Sequence, residues 1–163
     1  MKILLITWLA FMGSAFSDPM SKPEFTYTTY IAKPVEKVWN AITQKQLIDQ
    51  YYLAPIHTLE LRVGGTISYG VGKEFIKGEI TRLETNKLLT HTFNFAGDES
   101  KKTVVTYSLS SVGGEVCALT VNHTGFESED QTYANITGGW PSILSALKTL
   151  LETGNTMPWP EPE

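Results

Sequence analysis

One amphipathic helix near the end of a chain that is otherwise patterned as strands restricts the fold more than any other feature. In the stretch from Thr137 to Gly154, apolar residues recur at spacings of one, three and four, as on one helix face: Ile143, Leu144, Leu147, Leu150 and Leu151. Pro141 favours a helix start, and Gly154 favours a helix end. The sequence therefore predicts a helix over 141–153, and the apolar face of this helix needs a surface to cover.

Short segments of alternating apolar and polar residues precede this helix. The first is the predicted strand from Phe25 to Ile31. Two short helices are predicted after it. The apolar stripe of the first helix is Val35, Val38, Trp39 and Ile42, and that of the second is Leu47, Ile48, Tyr51 and Tyr52. About six more strands follow up to Thr124, of which one carries Leu59, Leu61 and Val63 on the same side. Gly113 and Gly114 predict a hairpin between the last two strands.

This order of elements predicts the fold class. A strand, two helices, a meander of strands and a final helix indicate an α+β protein with helices on one face of an antiparallel sheet. We expect a curved sheet of about seven strands, with the last helix covering its concave face.

The composition is that of one globular domain, and it excludes several functional classes. The chain has 163 residues, of which 42% are hydrophobic and 18% charged. The net charge is -4 and the basic residues are scattered, so no basic stripe for nucleic acid is present. The single cysteine, Cys117, excludes an intrachain disulfide framework and a zinc site made of cysteine pairs.

The two ends of the chain differ in composition from the domain, which we expect to span 24–154. Residues 1–17 combine an early lysine, a short apolar run and small residues before Asp18, which is typical of a secretory signal peptide. A secreted or periplasmic protein without integral membrane association follows from this interpretation. The alternative is a cytoplasmic protein that starts at Met20. Residues 155–163 have the proline-rich, acidic composition of a loose tail.

Several motifs, taken in order, resemble those of a known superfamily. They are YIAKPVEKVWNAIT, GGTISY, KGEITRLETNKLLTHTF, TVVTYSL, LTVNHTGF and GGW. The chain resembles the START-like, or SRPBCC, superfamily, and within it the branch similar to the activator of the heat shock protein 90 ATPase. Tyr51 and Tyr52 stand where relatives usually carry two tryptophans. The resemblance implies a helix-grip fold, in which the long C-terminal helix and the sheet enclose a cavity.

The alternation within the strands places polar side chains on the inner face. His57, His91 and His123 share the parity of apolar neighbours, and so do Tyr69, Tyr107 and Cys117. Trp140 is expected just before the last helix, where Gly138 and Gly139 would let the backbone approach the sheet. The predicted ligand-binding residues are Tyr69, His91, Phe93, Tyr107, His123, Trp140 and Leu147. The alternative is that these are core residues with satisfied polar groups.

The functional prediction is a domain that binds an apolar or amphipathic small molecule. The first alternative, implied by the resemblance, is a protein-interaction domain that stimulates a chaperone ATPase. A cyclase- or hydrolase-type enzyme with His91 as acid or base is the second. The sequence predicts no metal, cofactor or catalytic set, because it has no Gly-x-Ser-x-Gly elbow, no helical pair of histidines and no phosphate-binding loop.

Overall fold

The computed structural model describes residues 22–95 and 101–158. The predicted leader, 1–17, and the end of the predicted tail, 159–163, lie outside these ranges. The first strand and the two short helices are β1 (Phe25–Ile31), α1 (Val35–Thr43) and α2 (Lys45–Tyr51). The remaining elements are β2 (Ile56–Leu59), β3 (Thr66–Tyr69), β4 (Ile76–Glu84), β5 (Leu88–Phe95), β6 (Thr103–Val112), β7 (Val116–Thr124) and α3 (Gln131–Thr153).

The seven strands form one antiparallel sheet in the order β1-β7-β6-β5-β4-β3-β2. This arrangement, with two short helices after the first strand and a long final helix, confirms the predicted α+β helix-grip fold. Gly113 and Gly114 both have positive φ and connect β6 to β7, as the hairpin prediction requires. No helix in the ranges 22–95 and 101–158 is both long and apolar enough to cross a membrane.

The core lies between one face of the sheet and the helices. In β7, burial alternates residue by residue, and Cys117, Leu119, Val121 and His123 face inward. In α1 the buried stripe is Val38, Trp39, Ala41, Ile42 and Thr43. On α3, Leu144 and Leu147 are completely covered. These residues follow the parity and the helical period of the sequence, because only one face of each element is sheltered from water.

The second strand is shorter than its sequence pattern suggests. β2 ends at Leu59, and the side chains of Leu61 and Val63 are 42% and 62% exposed. The register between β2 and β3 shifts between Ile56 and Thr58. A bulge of this kind interrupts the alternation of side chains, so His57 faces solvent and the prediction that it faces inward is wrong. Its Nδ1 atom lies 3.9 Å from a carboxylate oxygen of Glu74 on the surface.

The last helix begins much earlier than predicted. α3 starts at Gln131, and the Asp130 side chain caps it by accepting a hydrogen bond of 3.0 Å from the Tyr133 N–H. Pro141 therefore lies inside the helix, where its missing N–H removes one backbone bond, and the prediction of a start at Pro141 is wrong. The end is as predicted, since Gly154 is left-handed with φ of 79°.

Trp140 consequently belongs to the helix and does not precede it. A Cβ atom at Gly138 would meet nothing within 4 Å, and one at Gly139 would meet only Leu53 Cδ1 at 3.6 Å. The glycines are therefore not needed for a close approach to the sheet, contrary to the prediction. The side chain of Trp140 is 2% exposed. The burial of this side chain stabilises the helix across Gly138, Gly139 and Pro141, whose helix propensity is low.

Hydrogen bonds connect the C-terminal part of α3 to the end of β1. Lys148 Nζ donates to the Tyr30 carbonyl at 2.5 Å, and the Ala32 N–H donates to Glu152 Oε1 at 2.7 Å. Lys148 and Glu152 also pair with each other at 2.6 Å. The polar face of the helix thus contributes to its attachment, while the apolar face covers the sheet.

Candidate functional site

Most of the predicted ligand-binding residues lie in one buried aromatic cluster. Around Trp140, ring centroids lie 5.8 Å away for Tyr107, 6.0 Å for His123 and 6.4 Å for Tyr52. Tyr52 in turn stacks on Tyr69 at 4.4 Å, so the residue that follows α2 and the elements α3, β3, β6 and β7 contribute rings. Tyr52 was not among the predicted residues, although its place beside Tyr51 in the sequence marked it as unusual.

Of the other three predicted residues, His91 and Phe93 lie on β5 and Leu147 lies on α3. His91 stacks beside Tyr107 with centroids 6.1 Å apart, and Phe93 meets His123 edge to face at 5.1 Å. Leu147 is fully buried about two turns after Trp140 on α3, where it packs in the aliphatic core. The arrangement is compact, with all seven predicted residues at most 6% exposed.

A directed chain of hydrogen bonds runs through the centre of this cluster. The Trp140 indole can only donate, and its Nε1 lies 3.1 Å from His123 Nδ1. His123 Nδ1 is therefore the acceptor, and the proton sits on Nε2, which lies 2.7 Å from Thr103 Oγ1. The Thr103 hydroxyl then donates to the Phe93 carbonyl at 3.1 Å. Both nitrogens of His123 are satisfied in its neutral form.

These bonds give His123 a structural role. A second proton on His123 would point Nδ1–H at the indole N–H, and burial already lowers the pKa of His123 to about 3, with the nearby His91 adding to the effect. In the described part of the chain, no group of three or more His, Cys, Asp or Glu residues is placed to hold a metal ion.

His91 is bonded on one side only. Its Nδ1 lies 2.7 Å from the Thr92 carbonyl oxygen, which fixes the proton on Nδ1 and leaves a lone pair on Nε2. Nε2 is buried and has no hydrogen-bond partner. Burial lowers the pKa of His91 to about 4, although the bond to Thr92 opposes this change. At neutral pH such an imidazole is a weak general base and a good hydrogen-bond acceptor.

Gly78 makes this position of His91 possible, and sequence reasoning missed it. A Cβ atom at Gly78 would lie 1.7 Å from the Thr92 carbonyl oxygen and 3.2 Å from His91 Nδ1. Only glycine therefore fits beneath the bond between His91 and Thr92. A lone glycine within a strand pattern signals a close approach of two backbones, and this was the available clue.

The buried phenols affect one another. Burial raises the pKa of Tyr69 and Tyr107, and the neighbouring phenols of Tyr52 and Tyr51 raise both further. Burial also raises the pKa of Tyr51 and Tyr52 themselves. Because their pKa values are raised, the phenols of these four tyrosines are all protonated and uncharged at neutral pH. Burial likewise raises the pKa of the Cys117 thiol, which makes this cysteine unreactive.

A cavity of about 210 Å³ lies next to the first turns of α3. Its apolar wall consists of Phe93, Phe95, Phe126 and Ile136, and buried polar groups of Asn94 and Thr103 also line it. Of the seven predicted binding residues, Phe93 alone reaches this cavity. The stretch 141–153, where the ligand was expected, is instead packed on the sheet through Ile143, Leu144, Ala146, Leu147 and Leu150.

Charged side chains surround the cavity, and its acidic groups are paired. Lys101 Nζ lies 3.3 Å from Asp130 Oδ2, and Lys22 Nζ lies 2.6 Å from Glu127 Oε1. Asp130 is also the cap of α3, and its bond from the Tyr133 N–H, followed by the interaction with Lys101, holds the pKa of this carboxyl below its usual value. The cavity thus joins an aromatic wall to a charged rim.

Comparison with known proteins places the chain among proteins of this fold. Residues 32–152 match the family described as Activator of Hsp90 ATPase homolog 1-like protein. No curated protein sequence matches the chain. A solved structure of a Mesorhizobium loti protein is 25% identical, with a TM-score of 0.70, and the match covers 79% of this chain and 96% of that one.

Two further solved structures carry names that refer to chaperone activators. The Aha1 dimer from Colwellia psychrerythraea is 22% identical with a TM-score of 0.71, over 81% of this chain and 98% of that one. An HSP90 activator from Plasmodium falciparum is 22% identical with a TM-score of 0.68, over 78% of this chain and 95% of that one. At these identities the likeness shows a shared fold.

Proposed function

The chain belongs to the Activator of Hsp90 ATPase homolog 1-like family, and we propose that it uses this START-like fold to bind a small apolar or amphipathic molecule. The observation that carries the proposal is the cavity of about 210 Å³ at the start of α3. Small-molecule sites are concave and mostly apolar with a few polar groups, and this cavity has an aromatic wall with polar groups of Asn94 and Thr103 beside it.

The size and the lining of the cavity define the ligand class. Small-molecule sites commonly enclose roughly 300 to 1,000 Å³, so this cavity suits a compact ligand of one or two rings or a short chain. Phe93, Phe126 and Ile136 provide an apolar surface for its body. A polar end would lie at the rim among Lys101 and Asp130, in contact with water.

Filling the cavity should weaken the binding of a small ligand. We expect Ile136→Trp to occupy the space between Phe93 and Phe126 and to weaken the binding of 1-naphthol or benzyl alcohol at least tenfold, because the ligand and the indole compete for the same volume. The matched control is Ala134→Trp, which adds the same ring to an exposed position two residues earlier on α3. Dissociation constants from NMR titration of methyl resonances provide the measurement.

A native ligand can also be sought directly. Denaturing extraction of the purified protein, followed by mass spectrometry, should release a compact apolar or amphipathic compound. An empty protein whose melting temperature does not change across a library of lipids and aromatic compounds would contradict the proposal. Equal binding of 1-naphthol to the Ile136→Trp and Ala134→Trp variants would place binding elsewhere on the molecule.

The second candidate is a protein-interaction domain that stimulates a chaperone ATPase. Family membership and an apolar surface support it, since Val71 and Phe75, between β3 and β4, are 82% and 56% exposed. We propose export as the discriminating property, because a cytosolic chaperone is not available to an exported protein. N-terminal sequencing of the native protein should give a start at Asp18. A start at Met20 or Ser21 would exclude cleavage of the predicted leader and favour the chaperone partner.

A further inference from the structure

The first nine residues of α3, 131–139, are held to the domain much less firmly than the rest of the helix. Every buried residue of α3 lies at or after Trp140, and 131–139 contains none. Thr132 and Ile136 nonetheless line the cavity, so this segment contributes to its wall. We propose that 131–139 is a gate, which unwinds locally to admit a ligand to the cavity and rewinds to enclose it. This proposal rests on the proposed function and adds a means of entry to the same cavity.

The gate is separated from the rest of α3 by residues that weaken a helix. Gly138 and Gly139 are the least favourable residues in a helix apart from proline. Pro141, inside the helix, has no N–H to donate to the Thr137 carbonyl four residues earlier. A Cβ atom would meet nothing within 4 Å at Gly138, and at Gly139 only Leu53 Cδ1 at the ordinary distance of 3.6 Å. Packing therefore does not require glycine at either position, and the pair lowers the cost of unwinding the gate.

Different contacts hold the helix on the two sides of these glycines. On the C-terminal side, Trp140 is 2% exposed, and its indole N–H donates to His123 Nδ1 at 3.1 Å. On the N-terminal side, the Tyr133 N–H donates to Asp130 Oδ1 at 3.0 Å, and the Tyr133 hydroxyl donates to the Glu24 carbonyl at 3.3 Å. These last two bonds lie at the exposed surface. Residues 140–153 are therefore anchored in the core, whereas the gate is held mainly at its start.

Opening the gate breaks few apolar contacts and changes access to the cavity directly. Ile136 is partly buried against the core, and Ala134 is exposed. The ring of Tyr133 meets Phe126 edge to face, with centroids 4.9 Å apart. Local opening is expected in segments that bury little apolar surface. Because Ile136 lines the cavity, its departure would connect the cavity with solvent.

Amide hydrogen exchange, followed by NMR, tests the gate without any ligand. In the unmodified protein, the amides of 134–139 should exchange at least tenfold faster than those of 143–150, under conditions in which the whole domain stays folded. The double replacement of Gly138→Ala and Gly139→Ala should slow exchange in the gate roughly tenfold, because each alanine favours the closed helix. Asp130→Ala removes the cap and should accelerate exchange in the gate about fivefold.

The matched control is Thr149→Ala, which also raises the helix propensity of α3, but after the glycines. This variant should leave exchange in the gate unchanged, because 140–153 stays closed while the gate opens.

The association and dissociation rates of 1-naphthol connect the gate with the cavity. Neither Gly138 nor Gly139 lines the cavity, so the double alanine variant keeps its walls. Ligand entry and exit both need the open gate, so this variant should slow both rates roughly tenfold. The dissociation constant should stay within about twofold, because the two rates change together.

Two outcomes would overturn the gate. The first is equal amide exchange along α3 from 134 to 150, whatever the protein binds. The second is a pair of 1-naphthol rates that the double alanine variant does not change. Faster exchange in the gate together with no binding of 1-naphthol would support the opening of this segment and contradict the proposed function instead.

Discussion

Replacement of Leu147 by aspartate is expected to abolish the cooperative folded state at neutral pH. Leu147 is 0% exposed and packs in the core between α3 and the sheet. Loss of a buried leucine side chain costs about 2 to 5 kcal/mol, and an unpaired buried carboxylate adds several more. A domain of this size is typically stable by roughly 5 to 15 kcal/mol, so the sum is comparable to the whole free energy of unfolding.

The matched control is Ser145→Asp, which places the same carboxylate two residues earlier on an exposed face of α3. This variant should unfold in urea with nearly the wild-type midpoint, after allowance for the lost hydrogen bond of 2.7 Å from the Ser145 hydroxyl to the Pro141 carbonyl. Near-UV circular dichroism provides the measurement. A soluble Leu147→Asp protein with a cooperative transition near the wild-type midpoint would show that this part of α3 is not essential to the core.

Residue periodicity correctly predicted elements that have one sheltered face. In β7, each step of the alternation from Cys117 to His123 corresponds to a change between buried and partly exposed side chains. Val38, Trp39 and Ile42 on α1 likewise follow the helical period. In these elements the hydrophobic effect acts along the whole length, so local pattern and tertiary burial agree.

The errors occurred where tertiary contacts override local preference. Gly138, Gly139 and Pro141 suggested that the helix could not extend further toward the N-terminus. A longer stripe was present in the sequence, since Ile136, Trp140, Ile143, Leu147 and Leu150 are spaced by four and three residues. Asp130, at a suitable capping position, was the second clue. At His57, by contrast, a bulge in a strand of four residues could not be inferred from alternation.

The predicted ligand-binding residues stay a prediction, because alternation in the sequence fixes which side chains face inward and not where space remains. Parity correctly placed His91, His123, Tyr69 and Tyr107 on the inner face, but it carries no information on which inward side chains leave space. The cavity lies between residues of β5, β6 and the first turns of α3, and the bond from His91 Nδ1 to the Thr92 carbonyl requires glycine at position 78. Both features are set by distances between segments that are remote in sequence.

Acidification from pH 7 to pH 5 is expected to destabilise the protein strongly through its two buried histidines. In the unfolded chain both should titrate near 6.5. In the folded state burial lowers the pKa of His91 to about 4 and that of His123 to about 3. Below pH 6.5 the unfolded chain therefore binds up to two protons that the folded protein does not, and the free energy of unfolding should fall by roughly 2 to 3 kcal/mol per pH unit.

Urea unfolding at pH 7.0, 6.0 and 5.0 measures this slope in a range where the histidines dominate. The depressed pKa values of Asp130 and Glu152 act in the same direction, but only at lower pH, since their usual values lie near 4. His123→Gln should halve the slope whatever its effect on absolute stability, because one of the two buried imidazoles is then absent. A free energy of unfolding that is constant from pH 7 to pH 5 would mean that both imidazoles accept protons in the folded state, which contradicts their sealed, neutral positions beside Trp140 and Thr92.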